Sequence, residues 1–331
     1  TDLMILRQPT DAPSPNWPIV VSRTYVVTDA CGNSTTRTQI INVNDSTSPG
    51  ITGSIATTTI EGCAANAVAA PVTTVSALEG LGLSISDACT SDANLVVTSS
   101  DASTGTCPIV VIRTYVVTDA CGNSTTRTQI INVNDTTAPS ITGTIATTTV
   151  EGCTAGNATA AVATVAALEG LGLTITDACT SDANISVTSS DASTGTCPIV
   201  VTRTYVVTDA CGNSTTKTQI INVNDTTAPA VTGAITNTIV EGCTIGDAPV
   251  AVTTVAALEA LTGNLQISDA CTSDASLVVS STQTSTGTCP LVITRIYKVT
   301  DACGNTSADI THTIQVNDTT VPAVTGSITA T

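Results

Sequence analysis

Short stretches of alternating apolar and polar residues run along the chain, and each is closed by Gly, Asn or Asp. This period of two predicts β-strands, because successive side chains of a strand point to opposite faces. The strongest example is residues 199–209, and Thr, Val and Ile dominate throughout. Weaker strands are predicted at 141–150, 173–177, 185–189 and 218–223. Residues 165–171 alone have helical character, and Gly170 and Gly172 are expected to end that helix within two turns.

The whole pattern repeats along the chain. Residues 23–45 read RTYVVTDACGNSTTRTQIINVND and are identical to residues 113–135, with close copies at 203–225 and 295–318. A period of 90 to 92 residues is too long for a solenoid turn and about right for a small domain. The predicted domains are the C-terminal half of a module (1–45), three full modules (46–135, 136–225 and 226–318) and the first strand of a following module (319–331).

Many short strands with turn residues between them, in about 90 residues, predict an all-β fold: a tandem array of immunoglobulin-like β-sandwich modules. Each module is short of core-building side chains, since the chain has no Phe, one Trp and four Tyr. Such small cores need staples, and thirteen cysteines at fixed positions supply them. Zinc binding through cysteine alone is the alternative, but the spacings lack paired knuckles. Disulfides indicate an oxidising compartment.

Strand geometry limits how the cysteines pair. Cys197 and Cys211 flank one long strand and lie roughly 45 Å apart at ~3.3 Å per residue, so they cannot bond to each other. The sandwich topology puts Cys179 with Cys211 at one end and Cys153 with Cys197 at the other. The predicted disulfides follow this placement in each module: Cys63–Cys107, Cys89–Cys121, Cys153–Cys197, Cys179–Cys211, Cys243–Cys289 and Cys271–Cys303.

Cys31 is the odd cysteine. Residues 1–45 align with the second half of a module, and Trp17 stands where Cys107 stands in the next copy. The predicted partner of Cys31 would lie upstream of Thr1, and a free reactive thiol is the alternative.

The net charge is −17, which argues against nucleic acid as a partner, because a basic surface would be expected there. It suits an extracellular polymer or a protein that binds divalent cations. No apolar run reaches membrane-spanning length. His312 is the only histidine, and no phosphate loop or acid–base pair stands out. The sequence therefore predicts a protein that is not an enzyme and needs no cofactor, with Ca²⁺ as a candidate ligand.

At TRTYVVTDACGNSTT, NVNDTTAP and GTCPIVV the chain resembles the HYR-like immunoglobulin repeats of large Bacteroidetes surface adhesins. The resemblance covers essentially the whole sequence in register, and its most specific pieces are residues 208–213 (TDACGN) and 224–229 (NDTTAP). It implies secretion to the cell surface, commonly by the type IX route, and a role in adhesion or gliding. It brings no catalytic residues.

Oxygen-bearing side chains cluster at the predicted module ends, much as in cadherin-type calcium linkers. Calcium takes six to eight oxygen ligands, and an ion at a junction would make it rigid. Ordinary turn chemistry is the alternative, and no D-x-D-x-D-G loop is present. The candidate ligands are Asp119, Asn123, Asn134, Asp135, Asp209, Asn213, Asn224 and Asp225.

Each linker also contains an Asp followed by Ser or Thr and a further small residue, which resembles the O-glycosylation sites of Bacteroidetes. An ordinary polar linker is the alternative. The candidate acceptors are Ser46, Thr136, Thr226 and Thr319.

One arginine is predicted to face the core. Arg113 and Tyr115 share a face of their strand with Val111 and Val117, so the arginine needs a partner. Glu61, beside Cys63, is the predicted partner.

Three functions fit these features. The first is the structural stalk of a secreted bacterial adhesin or filament, which spaces an adhesive region from the cell. The second is the subunit of an extracellular filament completed by strand donation between neighbours. The third is a calcium- or glycan-binding adhesive module. The expected partners are the neighbouring modules, further copies in a homopolymer, and an unidentified host surface or glycan.

Overall fold

The computed structural model describes residues 4–7 and 19–326, with side chains from Ile19 onward. Trp17 and the last residues of the predicted strand at 319–331 lie outside the described part. The predicted full modules 46–135, 136–225 and 226–318 are called repeats 1, 2 and 3 below, and residues 1–45 are called the half repeat. Their bounds stay a prediction.

The half repeat forms one three-stranded sheet in the order β1-β2-β3. Its strands are β1 (Met4–Arg7), β2 (Ile19–Thr28) and β3 (Ser34–Val43). Both neighbouring pairs are antiparallel.

Repeat 1 contains two sheets. The two-stranded sheet pairs β4 (Gly50–Gly53) with β6 (Leu83–Ser86), and the four-stranded sheet has the order β5-β9-β8-β7. Its strands are β5 (Thr58–Glu61), β7 (Val96–Thr104), β8 (Ile109–Thr118) and β9 (Ser124–Asn134). β5 runs parallel to β9, whereas the other pairs are antiparallel.

Repeats 2 and 3 reproduce both sheets with the same strand order. The strands of repeat 2 are β10 (Ser140–Gly143), β11 (Thr148–Glu151), β12 (Leu173–Thr176), β13 (Ser186–Thr194), β14 (Ile199–Thr208) and β15 (Ser214–Asn224). Those of repeat 3 are β16 (Ala230–Thr232), β17 (Thr238–Glu241), β18 (Gln266–Ser268), β19 (Val278–Thr286), β20 (Leu291–Thr300) and β21 (Ile310–Asn317). The predicted fold class, an all-β tandem array of sandwiches, is confirmed.

Each core lies between the two sheets and a short helix. In repeat 1, Ile51 and Ile85 of the small sheet pack with Tyr115 and Val117 of β8 and with Leu78, which is fully buried. The helices are α1 (Val75–Glu79), α2 (Val165–Glu169) and α3 (Val255–Glu259). The predicted helix at 165–171 is therefore confirmed, and it ends before Gly170.

The helix begins where a threonine caps it. The Thr74 hydroxyl accepts a hydrogen bond from the Ala77 backbone N–H at 3.3 Å, and the equivalent threonines cap α2 and α3. Val75 and Leu78, three residues apart, then face the core.

The prediction of one strand at 141–150 is wrong. The chain forms β10 and β11 there, and they belong to different sheets. Gly143 separates them with a φ of +87°, and a Cβ at this position would lie 2.4 Å from the Gly172 carbonyl oxygen. Only glycine allows this turn and the close approach of the second backbone.

Arg113, Tyr115 and Val117 do share the buried face of β8, as predicted. The predicted pairing of Arg113 with Glu61 is wrong, because Arg113 Nε donates to Asp101 Oδ1 at 2.8 Å. Asp101 lies directly opposite Arg113 on the neighbouring strand β7, whereas Glu61 lies on β5, on the far side of β9. Repeat 2 has the same bidentate pair, Arg203–Asp191.

The chain packs as two compact units. One comprises residues 1–140, 176–186 and 208–215, and the other comprises 141–175, 187–207 and 216–331. Among the described residues, no helix is both long and apolar enough to cross a bilayer.

Repeat 3 replaces the exposed aspartate that pairs with the buried arginine by Gln283, whose Oε1 accepts from Arg295 Nε at 3.0 Å and from Nη2 at 2.8 Å. We therefore expect Asp191→Gln to cost about 1 kcal/mol locally, since both hydrogen bonds can be kept. Asp191→Ala should cost about 1–3 kcal/mol, because it leaves the buried Arg203 charge unpaired. Amide hydrogen exchange of β13 and β14 in the full chain measures the loss of local stability in each variant. Equal effects of the two variants would contradict this account.

The same pair predicts a pH dependence. The Arg203 hydrogen bonds hold the pKa of Asp191 below its ordinary value. The stability that ionised Asp191 adds is therefore fully present above its pKa in the unfolded chain, about 4. This stability is lost as the pH falls through its lower pKa in the folded chain. On acidification below about pH 4, β13–β14 of the unchanged chain should lose exchange protection, corrected for intrinsic rates, and Asp191→Gln should remove this pH-dependent step. The variant is the control because glutamine does not titrate, whereas repeat 3 contains His312, which pairs with Arg295 and titrates itself.

Candidate functional site

One end of each full repeat carries two loops built on the same Asp-Ala-Cys sequence. The DACT loops (87–90, 177–180 and 269–272) follow the last strand of the small sheet. The DACGN turns (119–123, 209–213 and 301–305, with 29–33 in the half repeat) connect β8 to β9, β14 to β15, β20 to β21 and β2 to β3. In all seven, the aspartate Oδ1 accepts a hydrogen bond from the cysteine backbone N–H at 2.8–3.0 Å. This Asx turn fixes the cysteine and the carboxylate together.

The two loops are also joined to each other within a repeat. The hydroxyl of Thr180, which is buried, accepts a hydrogen bond from the Ala210 backbone N–H at 3.3 Å, and repeats 1 and 3 have the same contact. The two aspartates and two cysteines of this end therefore form one preassembled surface.

The opposite end carries the other two cysteines. Cys63 follows β5, whose Glu61 pairs with Asn134 at the end of β9, and Cys107 precedes β8, whose Ile109 pairs with Val133. Both cysteines therefore lie where β9 leads into the linker that begins at Asp135. The sequence placed two cysteines at each end of a module, and the structure agrees.

The pairing itself differs from the prediction, because the disulfides join successive repeats. All six predicted within-module pairs, Cys63–Cys107, Cys89–Cys121, Cys153–Cys197, Cys179–Cys211, Cys243–Cys289 and Cys271–Cys303, are wrong. The observed disulfides are Cys63–Cys179, Cys107–Cys211, Cys153–Cys271 and Cys197–Cys303. Their Cα atoms lie 4.8–5.3 Å apart, within the usual range.

The physical reason is the position of the linker. The linker places the end of repeat 1 that carries Cys63 and Cys107 against the start of repeat 2. The DACT loop and the DACGN turn of repeat 2 lie there, so each cysteine of one repeat meets a cysteine of the next. Among the predicted framework cysteines, Cys89, Cys121, Cys243 and Cys289 have no disulfide, and Cys31 is free and exposed.

Three aspartates meet inside each junction. Asp135, at the end of repeat 1, contributes a carboxylate oxygen within 4.8 Å of those of Asp177 and Asp209 in repeat 2. Asp135 is 3% exposed. The same triad recurs as Asp45, Asp87 and Asp119 and as Asp225, Asp269 and Asp301.

Two oxygens of the Asp135 triad have no partner. Oδ1 of Asp135 accepts from the Thr137 N–H and Oδ1 of Asp177 from the Cys179 N–H, whereas Oδ2 of both is buried without a hydrogen bond. Oδ2 of Asp45 and Oδ2 of Asp225 are also buried without a hydrogen bond. A buried anionic oxygen is costly unless a proton or a cation joins it, so the triads have the donor set and the unmet charge of a cation site.

The electrostatics point the same way. Burial raises the pKa of Asp135 above its ordinary value, and the charges of Asp177 and Asp209 raise it further. The pKa of Asp225 is raised in the same way, by burial and by the charges of Asp269 and Asp301. All the nearby oxygens are hard ligands of the kind that Ca²⁺ and Mg²⁺ prefer, and ligands on opposite sides of a Ca²⁺ ion lie about 5 Å apart. The residues present therefore fit such an ion.

The predicted calcium ligands are only partly brought together. Asp135 meets Asp209, but Asp119 belongs to the triad of Asp45 and Asp225 to the next junction. Asn123, Asn213 and Asn305 turn their amide nitrogen inward, and Asn213 Nδ2 donates to the Asp135 carbonyl oxygen at 3.0 Å. They hold the junction instead of offering a ligand.

Asn134 and Asn224 lie on the strand side of the junction. Each places its Oδ1 3.3–3.4 Å from a disulfide sulfur, that of Cys107 or of Cys197. They are not members of the aspartate triads. Sequence reasoning missed Asp45 and Asp301, the counterparts of predicted ligands in other repeats, and it missed Asp87, Asp177 and Asp269. The second Asp-Ala-Cys in each repeat was the available signal.

A glutamate binds the linker that follows each full repeat. Glu61 accepts hydrogen bonds from the Thr136 N–H at 3.1 Å and from its hydroxyl at 2.6 Å, which lower the pKa of Glu61. Glu151 and Glu241 hold Thr226 and Thr319 in the same way.

The predicted glycan acceptors occupy these linkers. Thr136, Thr226 and Thr319 are exposed, and so is Ser46. In each of the three threonines the hydroxyl that a glycan would modify donates to the glutamate. Glycosylation there stays a prediction.

The chain matches no protein-family model and no curated protein. Solved structures with which it aligns include multi-domain cadherin fragments. A protocadherin gammaB7 EC3-6 cis-dimer structure aligns at 12% identity over 95% of this chain and 92% of that chain, with a TM-score of 0.28. Drosophila N-cadherin EC1-4 aligns at 12% identity over 92% and 85%, with a TM-score of 0.27. Mouse cadherin-23 EC22-24 aligns at 12% identity over 82% and 99%, with a TM-score of 0.28.

Proposed function

We propose that this chain is part of the stalk of a secreted, surface-exposed bacterial adhesin or filament, which spaces an adhesive region from the cell. The observation that carries the proposal is the pair of disulfides across each junction between full repeats. A linker alone leaves successive domains free to swing, whereas two separate covalent bonds, a glutamate contact and an asparagine contact together fix the next repeat.

The same bonds limit how far the chain can be stretched. Each closes a loop of 104–118 residues, which is worth about 4–5 kcal/mol in the chain-entropy treatment. Because the loops overlap from one repeat to the next, tension passes from repeat to repeat through disulfides. This property suits a spacer under load and has no obvious use in a set of independent ligand-binding domains.

An extracellular site of action follows from the same chemistry, since disulfides persist in oxidising compartments. The surface charge of −17 keeps such a polymer soluble. The likeness of TDACGN and NDTTAP to the repeats of Bacteroidetes adhesins supports the bacterial assignment.

Single-molecule stretching of the oxidised chain tests the proposed role. The shortest path through the observed bonds uses residues 1–63, 179–197 and 303–331, about 110 residues or ~40 nm at ~3.6 Å per residue. After reduction the whole chain extends to ~120 nm. We expect the oxidised limit to be near 40 nm.

The competing hypothesis is that the disulfides lie within single repeats, and it predicts a different length. Disulfides confined to single repeats would leave a path of about 200 residues, or ~70 nm. An oxidised limit near 70 nm would rule out the cross-repeat bonds and with them the argument for a stalk.

We also propose that each aspartate triad binds a divalent cation, with Ca²⁺ as the first choice. At the first full junction, Asp135, Asp177 and Asp209 would hold it, and the unpartnered Oδ2 atoms of Asp135 and Asp177 would be its first ligands. The ion would neutralise two buried and one half-buried negative charge that belong to two repeats, and so would stiffen their junction.

Titration calorimetry with Ca²⁺ on the full chain tests this site. Three triads predict binding of three ions, and Asp177→Asn should reduce the number to two. Asparagine keeps the oxygen that accepts the Cys179 N–H but removes the charge that faces the ion. The matched control is Asp182→Asn, an exposed aspartate two residues beyond the DACT loop. Equal loss in both variants, or no binding by the unchanged chain, would refute the site.

A further inference from the structure

Repeat 3 contains a buried arginine whose charge no side chain of the repeat neutralises. Arg295 is 4% exposed and takes the place that Arg113 and Arg203 hold in the other full repeats. Those two arginines form bidentate ion pairs with Asp101 and Asp191. Among the residues that the structure describes, no carboxylate lies within ion-pair distance of Arg295.

The two neighbours of Arg295 in the sheet are neutral. Gln283 lies directly opposite it on β19, and His312 lies directly opposite it on β21. Gln283 Oε1 accepts from Nε and Nη2 of the arginine but carries no charge. Burial lowers the pKa of His312, and the charge of Arg295 lowers it further, so the imidazole is uncharged at neutral pH. A buried charge without a partner is costly, and an anion that reached Arg295 would remove that cost.

A groove of about 420 Å³ gives access to this arginine. Arg295 lines it together with β19 and residues 245–251, called the 245–251 segment below. β19 contributes Ser281 and Gln283, which share one face of the strand and are exposed. Asp247 is the acidic residue of the segment, and its Oδ2 accepts from two backbone N–H groups of its own turn. The groove therefore opens to solvent beside a cation.

In repeat 2 the corresponding segment contacts the arginine directly. Arg203 Nη1 donates to the carbonyl oxygen of Thr159, the counterpart of Pro249, at 2.7 Å. In repeat 3, Nη1 of Arg295 donates instead to the Tyr297 hydroxyl at 3.4 Å, and both Pro249 and Arg295 line the groove. The loss of the acidic partner and the opening of the segment thus occur at the same arginine.

Repeat 1 shows that a cavity alone does not make this site. It has a cavity of about 210 Å³ that Arg113 also lines. There Asp101 already pairs with the guanidinium, with Nε 2.8 Å from Oδ1. The groove of repeat 3 therefore differs from this cavity by its unmet positive charge.

The guanidinium of Arg295 retains hydrogen-bond donors for a ligand. An arginine has five N–H groups. Gln283 accepts from two of them and Tyr297 from one, which leaves one N–H on Nη1 and one on Nη2. A pair of donors on one guanidinium matches the two oxygens of a carboxylate. Ser281 adds a hydroxyl to the same groove.

The wall of the groove indicates what the carboxylate is attached to. Apolar side chains of the 245–251 segment are exposed there, and Val250 is 88% exposed. Covering such side chains with an apolar group is favourable. The apolar lining residues of the segment are Ile245, Ala248, Pro249, Val250 and Ala251.

We propose that this groove binds a carboxylate that carries a short aliphatic group. The carboxylate accepts hydrogen bonds from Nη1 and Nη2 of Arg295, and the aliphatic group covers Val250 and its apolar neighbours. A free aliphatic acid and the C-terminal residue of a peptide share this chemistry. The inference goes beyond the proposed stalk, because the groove lies within repeat 3 and contains no junction residue.

Titration calorimetry on the full chain tests the site with two probes, isovalerate for a free acid and N-acetyl-leucine for a peptide end. We expect one binding site per chain, and the tighter probe identifies the form of the ligand. The amide of N-acetyl-leucine should bind about tenfold more weakly or worse, because hydrogen bonds to a charged acceptor are stronger. Sulfate, which has no aliphatic group, should also bind more weakly than both acids. Equal affinity for the amide or for sulfate would overturn the proposal.

Gln283→Asp is the variant that addresses Arg295 directly. It gives repeat 3 the acid that repeats 1 and 2 carry, so the fold is kept while an internal carboxylate neutralises the arginine. Binding of the tighter probe should weaken about tenfold or more. Thr284→Asp is the matched control, since it adds the same charge at an exposed position on the opposite face of β19. It should leave the affinity almost unchanged.

Amide exchange of β19 and β20 checks that both variants remain folded. Unchanged affinity in Gln283→Asp would refute the role of Arg295. Equal losses in Gln283→Asp and Thr284→Asp would reduce the effect to net charge and overturn the site. No binding of either acid by the unchanged chain would also overturn it.

Discussion

The hydrogen bond from an aspartate Oδ1 to the cysteine N–H two residues later is the contact on which the junctions depend. It forms seven times with nearly constant length. One carboxylate oxygen holds the backbone in each loop, which fixes the adjacent thiol beside the carboxylate. The other oxygen accepts from the asparagine Nδ2 in the DACGN turns, whereas Oδ2 of Asp177 in its DACT loop has no hydrogen bond. One short sequence thus positions both the covalent bond and the charged group. A change of Asp177 to a residue without a side-chain acceptor would disturb the two together.

The strands and the ends of the modules could be predicted from the sequence, because alternation and turn residues act locally. The positions of Cys153 and Cys197 at one end and of Cys179 and Cys211 at the other followed from the length of the strand between Cys197 and Cys211 and from the topology of the sandwich. The pairing could not be predicted in this way. The loops that carry the cysteines are nearly identical in each repeat, so a bond within a repeat and a bond to the next repeat satisfy the same local pattern. The position of the linker decides between them, and that is a tertiary property.

The pairing of Arg113 shows a similar limit. Its inward direction followed from the period of two, but its partner depended on which strand lies beside β8. Repeat 3 shows how loosely the charge of that partner is constrained: Gln283 accepts the same two hydrogen bonds from Arg295. His312 takes the place of Gln219 there, and its Nε2 lies 2.8 Å from the Thr238 hydroxyl oxygen. Burial lowers the pKa of this histidine, so it adds no charge beside Arg295 at neutral pH. The core tolerates such exchanges, whereas the junction aspartates are the same in all three repeats.

The disulfides and the aspartate triads have opposite effects on a junction that holds no cation. The three carboxylates, which come from two repeats, repel one another: burial raises the pKa of Asp135, and the charges of Asp177 and Asp209 raise it further. With a linker alone, this repulsion would favour separation of the repeats, and an ion would have to reassemble the site before it could bind. The two disulfides hold the carboxylates close in the absence of an ion, so the ordering is already complete when the ion arrives. A site preorganised in this way binds more tightly than a mobile one with the same ligands, because less conformational entropy is lost on binding. The covalent bonds therefore set the geometry of the junction, and a cation bound as proposed would remove the electrostatic penalty that this geometry creates.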